Sequence, residues 1–219
     1  MNVARSLERR LERLLEGVFS RVFSGRLHAS EIAGRIAREA DLARFQHASG
    51  PGTANSYTLT FNPADIGSDD AELADSLTQS FAEYAAEAGL RLLGPPVVKI
   101  VTDEDVLPGQ FLCYPEIVPG PSAVWARLIG QNQTLELRTN RAILGRSDEA
   151  DVKVPVPEVS RNHALLWRAG GSAWIRDLDS ANGTVVDGQP VRDSQVELNT
   201  GSVVQLAGAR YRFVKASDA

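Results

Sequence analysis

Ser160, Arg161 and His163 fall within four residues in VSRNHALLW (159–167), just ahead of an apolar run. A serine beside a histidine can be a nucleophile with its base, and a histidine with suitable neighbours can hold a metal. A hydroxyl beside a guanidinium can also bind an anion and do no chemistry at all. Each reading needs different partners elsewhere in the chain. Acyl transfer would recruit Asp177, but no G-x-S-x-G elbow surrounds the serine and no helix is expected after it. A zinc site is not expected from one cysteine, Cys113, and three histidines, and a disulfide within the chain is impossible. Neither a G-x-x-x-x-G-K-[ST] phosphate loop, nor G-x-G-x-x-G, nor a set of kinase signatures is present. The expectation is a protein that is not an enzyme and holds no metal and no cofactor.

Two further stretches share the region: ILGRS (143–147) and DLDSANGT (177–184). Gly-Arg, then Ser-Arg-x-His, then Ser-x-Asn-Gly-Thr, at these separations, resembles the forkhead-associated (FHA) domain, a phosphothreonine-binding β-sandwich. The likeness covers about 124–215. It implies that Arg146 and Ser160 contact phosphate, that Asn182 contacts the main chain of the ligand and that Arg161 supports them. A phosphorylated threonine carries about −1.5 to −2 charges and several acceptor oxygens, so a planar fork of charged donors with neutral donors on loops suits it. Arg146 supplies the fork, Ser160 a hydroxyl and a loop N–H, Arg161 positive potential, and Asn182 a donor and an acceptor on one amide. Ser147, next to the arginine, can also donate to phosphate. Gly145, Gly183 and Thr184 are expected to serve turn geometry and loop packing, and His163 to brace the loop; Asp177 fixes a turn. Asp187-Gly188 keeps the turn chemistry of the Asn-Gly that the family usually has there.

These residues need a scaffold, and the spacing of apolar residues describes one. From Trp125 onward short runs of period two alternate with turn residues, as in RAILGR, HALLW, AWIRDL, VVQLAG and RYRFV, which predicts an all-β sandwich over 124–219. Ahead of it PEIVPGPSA (115–123) has three prolines and a glycine, so 117–123 reads as a stiff linker. Residues 1–116 follow another rule. Val3, Leu7, Leu11, Leu14, Leu15, Val18, Phe19, Val22 and Phe23 recur at helical spacing, Ser30 offers an N-cap for a second helix, and Ser68 to Gly89 encloses a third. With strands at YTLTF, PPVVKIV and GQFLCY, the first domain is expected to be α+β, three helices against a small sheet.

The blocks SLERRLERLLEGVFSRVFSGRLHASEIAGRIAREAD, ANSYTLTFNPAD and GLRLLGPPVVKIVTDEDVLPGQF, in that order, resemble the N-terminal domain of actinobacterial FhaA-type proteins. The implied setting is Ser/Thr protein-kinase signalling at the cell envelope. There such adaptors bind a Thr-phosphorylated protein, a kinase or a regulator of cell-wall synthesis or division. In that family a long segment often separates the two domains; here only the Pro-rich stretch does. The second partner, through the N-terminal domain, is unknown. A rival reading makes the first domain a KH-like nucleic-acid-binding module, with the FHA domain regulating it. It lacks a GXXG loop, and residues 1–116 carry eleven Lys and Arg against seventeen Asp and Glu, a balance of −6, so no nucleic acid is expected. No apolar run approaches a membrane span, and the acid-containing start fits neither a secretory nor a transit signal. The expected location is the cytoplasm, with recruitment to the inner face of the membrane by a partner.

Overall fold

A computed structural model of the chain describes residues 22, 27–67, 70–191 and 194–218. It divides into two compact units, Met1–Gly120 and Pro121–Ala219. Apart from Val22, the helix expected from Val3 to Phe23 lies outside the described residues, as does the Ser68 cap.

In the first unit α1 spans Ala29–Leu42 and α2 spans Asp70–Glu87. The second and third of the three expected helices are thus present, while the first lies outside the described residues. The cap of α1 is corrected: His28, with extended φ −113° and ψ 142°, is the N-cap, and Ser30 already lies inside the first turn. A cap residue must leave helical dihedrals, which Ser30 does not do. Gly89 ends α2 at φ +67°, a conformation that costs a glycine little.

Strands β1 (Ser56–Phe61), β2 (Val97–Thr102) and β3 (Phe111–Glu116) form one sheet in the order β2-β1-β3, with β1 parallel to β2 and antiparallel to β3. The alternation of β1 sends Tyr57, Leu59 and Phe61 into the core, where they meet Leu73, Leu77 and Phe81 of α2 and Ile32 and Ile36 of α1. The Tyr57 and Phe81 rings meet edge to face at 4.7 Å. Val101, Leu112 and Tyr114 stay exposed. Val118 and Gly120, in the Pro-rich stretch, hydrogen-bond to Asn55 and to the Leu93 carbonyl.

The second unit is a two-sheet β-sandwich. One sheet has the order β11-β10-β13-β14-β4-β5, and the other β12-β9-β8-β6-β7. In chain order these are β4 (Ala126–Ile129), β5 (Thr134–Leu137), β6 (Arg141–Gly145), β7 (Val152–Lys153), β8 (Ala164–Ala169), β9 (Ser172–Asp177), β10 (Thr184–Val186), β11 (Gln189–Val191), β12 (Val196–Leu198), β13 (Val203–Leu206) and β14 (Ala209–Lys215). Leu128, Val204, Leu206 and Phe213 of the first sheet close on Leu144, Leu166, Ile175 and Leu198 of the second. A smaller cluster of Ile143, Leu165 and Trp167 packs on the opposite face of the second sheet, so β6 and β8 are apolar on both sides. Register brings the site together: Leu144 of β6 faces Ala164 of β8, and Ala164 faces Asp177 of β9. The loops that leave β6, enter β8 and leave β9 therefore share one end of the sandwich.

Candidate functional site

The three loops are tied by backbone before any side chain is considered. The Arg146 and Ser147 amides donate to the Ser160 and Arg161 carbonyls at 3.0 and 3.3 Å. Gly145 makes that approach possible. A Cβ there would lie 1.9 Å from the Arg161 carbonyl oxygen and 2.7 Å from its carbon, a clash with backbone that no rotamer relieves. Gly145 is thus required for close packing of two loops rather than for a turn, a distinction its neighbours in sequence do not reveal.

His163 is fully buried beneath these loops. Its Nδ1 accepts the Ser160 N–H at 3.1 Å, so the ring proton sits on Nε2, which donates to the Gly183 carbonyl at 3.1 Å. One neutral imidazole thereby joins the second loop to the third. Burial pushes its pKa below 6.5, against the opposing pull of the Gly183 carbonyl and the Asp177 charge. The same bond corrects one expectation: the Ser160 N–H is not available to a ligand.

Asp177 closes the base of the third loop. Its carboxylate accepts from the Ser180 amide at 2.8 Å, the Ser180 hydroxyl at 2.7 Å and the Thr184 hydroxyl at 2.5 Å. Burial pushes its pKa up, but these donors outweigh burial and hold it below the usual 3.8. Thr184 is buried, so its hydroxyl is spent on packing this turn. Gly183 takes φ +75° and Asp179 φ +56°.

What remains faces water. Ser160 Oγ accepts from the Ala181 amide at 3.0 Å and Ser147 Oγ from the Glu149 amide at 3.2 Å, which leaves both hydroxyl protons unspent. Asn182 donates one amide proton to the Glu158 carbonyl at 2.8 Å, keeping its oxygen and its second proton. Arg146 and Arg161 are exposed, and neither guanidinium has an ion-pair or hydrogen-bond partner among the described residues. Lys153, on β7 beside Gly145, is paired with Asp148, whose carboxyl it holds below its ordinary range. All five residues expected to bind lie on these three joined loops.

The acyl-transfer alternative fails on the same geometry. Both ring nitrogens of His163 have backbone partners, the Ser160 N–H and the Gly183 carbonyl, so the imidazole does not accept the Ser160 hydroxyl proton. Among the described residues no group of His, Cys, Asp and Glu could hold a metal ion, and no helix is long and apolar enough to cross a membrane. The Glu158 carbonyl and the Ala181 amide escaped the sequence reading because a backbone group leaves no trace in residue type.

The model of the FhaA N-terminal domain matches residues 5–114, and that of the FHA domain matches 142–207. The chain belongs to the family defined by the FhaA N-terminal domain, here joined to an FHA domain. It is similar to the FHA domain-containing protein FhaA of Mycobacterium tuberculosis, 38% identical over 77 residues, which is 35% of this chain and 14% of that protein. It is also similar to the oxoglutarate dehydrogenase inhibitor of Corynebacterium diphtheriae, 39% identical over 75 residues, 34% of this chain and 51% of that protein. The chain thus spans 14% and 51% of the lengths of these two curated relatives. Among solved structures, an FhaA FHA domain complexed with the intracellular domain of another protein is 33% identical and covers 42% of this chain and 99% of its own, with a TM-score of 0.37.

Proposed function

We propose that this chain is a phosphothreonine-dependent adaptor whose sandwich captures a Thr-phosphorylated protein, while its first unit contacts a second protein. The observation that carries this reading is the pair of unpartnered guanidiniums, Arg146 and Arg161, beside two hydroxyls with unspent protons, Ser147 and Ser160, on loops locked by Gly145 and His163. Such donors suit an anion with several acceptor oxygens. Arg146 and Ser160 hold the phosphate, Ser147 adds a hydroxyl, Arg161 adds charge, and the free oxygen and proton of the Asn182 amide pair with the ligand main chain. The likeness to FhaA supports a setting in bacterial Ser/Thr-kinase signalling linked to cell-wall synthesis or division, in the cytoplasm at the inner face of the membrane. Nothing in this role requires a catalytic group or a cofactor.

Titration calorimetry of the full chain with one peptide, phosphorylated and unphosphorylated on threonine, tests it. Micromolar binding of the phosphorylated form, about −8 kcal/mol, with none of the other is expected. Equal affinities would refute it.

A further inference from the structure

The donors that face water stand inside an acidic rim. Asp148 and Glu149 follow Arg146 and Ser147 on the first loop, Glu158 precedes Ser160 on the second, and Asp179 stands three residues before Asn182 on the third. All four are exposed. Asp148 is paired with Lys153, but Glu149, Glu158 and Asp179 have no ion-pair partner among the described residues. Glu158 and Asp179 matter most. The Glu158 carbonyl is fastened to the Asn182 side chain at 2.8 Å, and Asp179 leads into the Ser180–Asn182 turn at φ +56°. Any main chain that pairs with Asn182 therefore passes the Glu158 main chain that Asn182 bonds and the turn that Asp179 opens.

Building on the function proposed above, we propose that this rim selects phosphothreonine sequences whose flanking residues are lysine or arginine, and rejects those flanked by aspartate or glutamate. A bound phosphate, with about −1.5 to −2 charges, offsets the two arginines that hold it, so discrimination between flanks falls to the carboxylates. They discriminate because like charges placed together are disfavoured as opposite charges are favoured. An exposed charge pair changes affinity by about twofold. Replacing lysine by glutamate in the peptide exchanges attraction for repulsion at each of two carboxylates, which compounds to about tenfold. These interactions lie in water and are screened over a Debye length of about 8 Å at physiological salt, so the preference contracts as salt rises.

The test uses the full chain and three phosphothreonine peptides of one length, flanked by lysine, alanine or glutamate, each with its unphosphorylated twin. Fluorescence anisotropy is read at low and high salt, and the quantity of interest is the lysine-to-glutamate ratio of affinities, because salt weakens the phosphate contact in both. A ratio of about tenfold at low salt, falling to about threefold at high salt, is expected. The variant Glu158→Gln/Asp179→Asn, which removes both carboxylates, should bring the low-salt ratio close to one. Glutamine keeps the carbonyl that Asn182 uses, and asparagine tolerates the positive φ of position 179. In the unsubstituted chain a ratio near one or a preference for glutamate, or in the variant an unchanged ratio, overturns the selectivity while phosphate dependence stands. If the unphosphorylated lysine peptide binds as well as the phosphorylated one, or no phosphorylated peptide binds, the adaptor reading fails and the selectivity with it.

Discussion

Asn55 in the first unit and His163 in the second are buried to 1% and 0% exposure, and both spend their side chains on backbone groups. Asn55 donates to the Pro95 and Val118 carbonyls and accepts the Val118 N–H, pinning the segment after β3 against the start of β1. Thr53 donates to the Ala40 carbonyl and Arg91 to Ser49 in the same unit. These bonds join elements inside the core of the unit. His163 instead holds together loops whose remaining donors point to water. A buried polar side chain satisfies a structural need in both places, because an unpaired polar group in an interior costs about 1–3 kcal/mol. In the sandwich that rigidity holds the exposed donors of the proposed phosphopeptide site.

The sharpest way to break this comparison is at two glycines. A Cβ at Gly145 meets the Arg161 carbonyl oxygen at 1.9 Å, and one at Gly94 meets the Val118 carbonyl oxygen at 2.2 Å. Each substitution to alanine should destabilise its own unit by about 3 kcal/mol. Gly145→Ala should also abolish phosphopeptide binding, whereas Gly94→Ala should leave it within about threefold, under roughly 1 kcal/mol. Calorimetric unfolding together with peptide titration reads both, and a loss of binding in Gly94→Ala would mean that the two units are not independent.

Asn55→Ala removes three hydrogen bonds and should cost about 2 kcal/mol in denaturant unfolding of the first unit, again without effect on phosphopeptide affinity. Arg146→Ala should give the reverse pattern. Its guanidinium is exposed and unpartnered, so unfolding should move by less than about 0.5 kcal/mol. Phosphopeptide binding should weaken by at least about tenfold, the loss of one charge-assisted hydrogen bond. A stability loss as large as the binding loss would place Arg146 in the scaffold instead.

The smallest effect is a pH dependence of the sandwich without any ligand. Because burial holds the folded pKa of His163 below its unfolded 6.5, the unfolded chain binds more protons between those two values. Stability is therefore full above pH 6.5 and falls as pH drops from 6.5 toward the folded value, by at most about 1.4 kcal/mol per pH unit for a single proton. Protonation at Nδ1 also ends its acceptance of the Ser160 N–H. Thermal melts of the chain and of His163→Gln across pH 5 to 8 check the point, since a slope that survives the substitution belongs to another group.

The pattern of residues carried the architecture well where elements are central and strongly apolar. YTLTF, HALLW and RYRFV announced β1, β8 and β14 because each buries alternate or successive side chains in a core. Two strands went unseen, Gln189–Val191 and Val196–Leu198. Both are three-residue edge strands, and Pro190 sits in the first, where a missing N–H costs least. Such strands exist because a neighbour pairs with them, not through any period of their own. The N-cap at His28 in place of Ser30 has the same origin, since the chain direction entering α1 and not the hydroxyl decided where helical dihedrals begin.

By itself the sequence determined the all-β period of the second half, and it put forward the two-part layout and the candidate set Arg146, Ser147, Ser160, Arg161 and Asn182, because side-chain type and spacing are local properties. The tertiary structure alone decided which groups of that set are still free. Ser160 loses its N–H to His163, Asn182 spends one proton on Glu158, and Gly145 is required because a backbone carbonyl passes where its Cβ would be. Each of these is a contact between backbone and residues distant in the chain. A hydrogen bond consumed by the fold cannot be offered to a ligand, and only the folded arrangement records which were consumed.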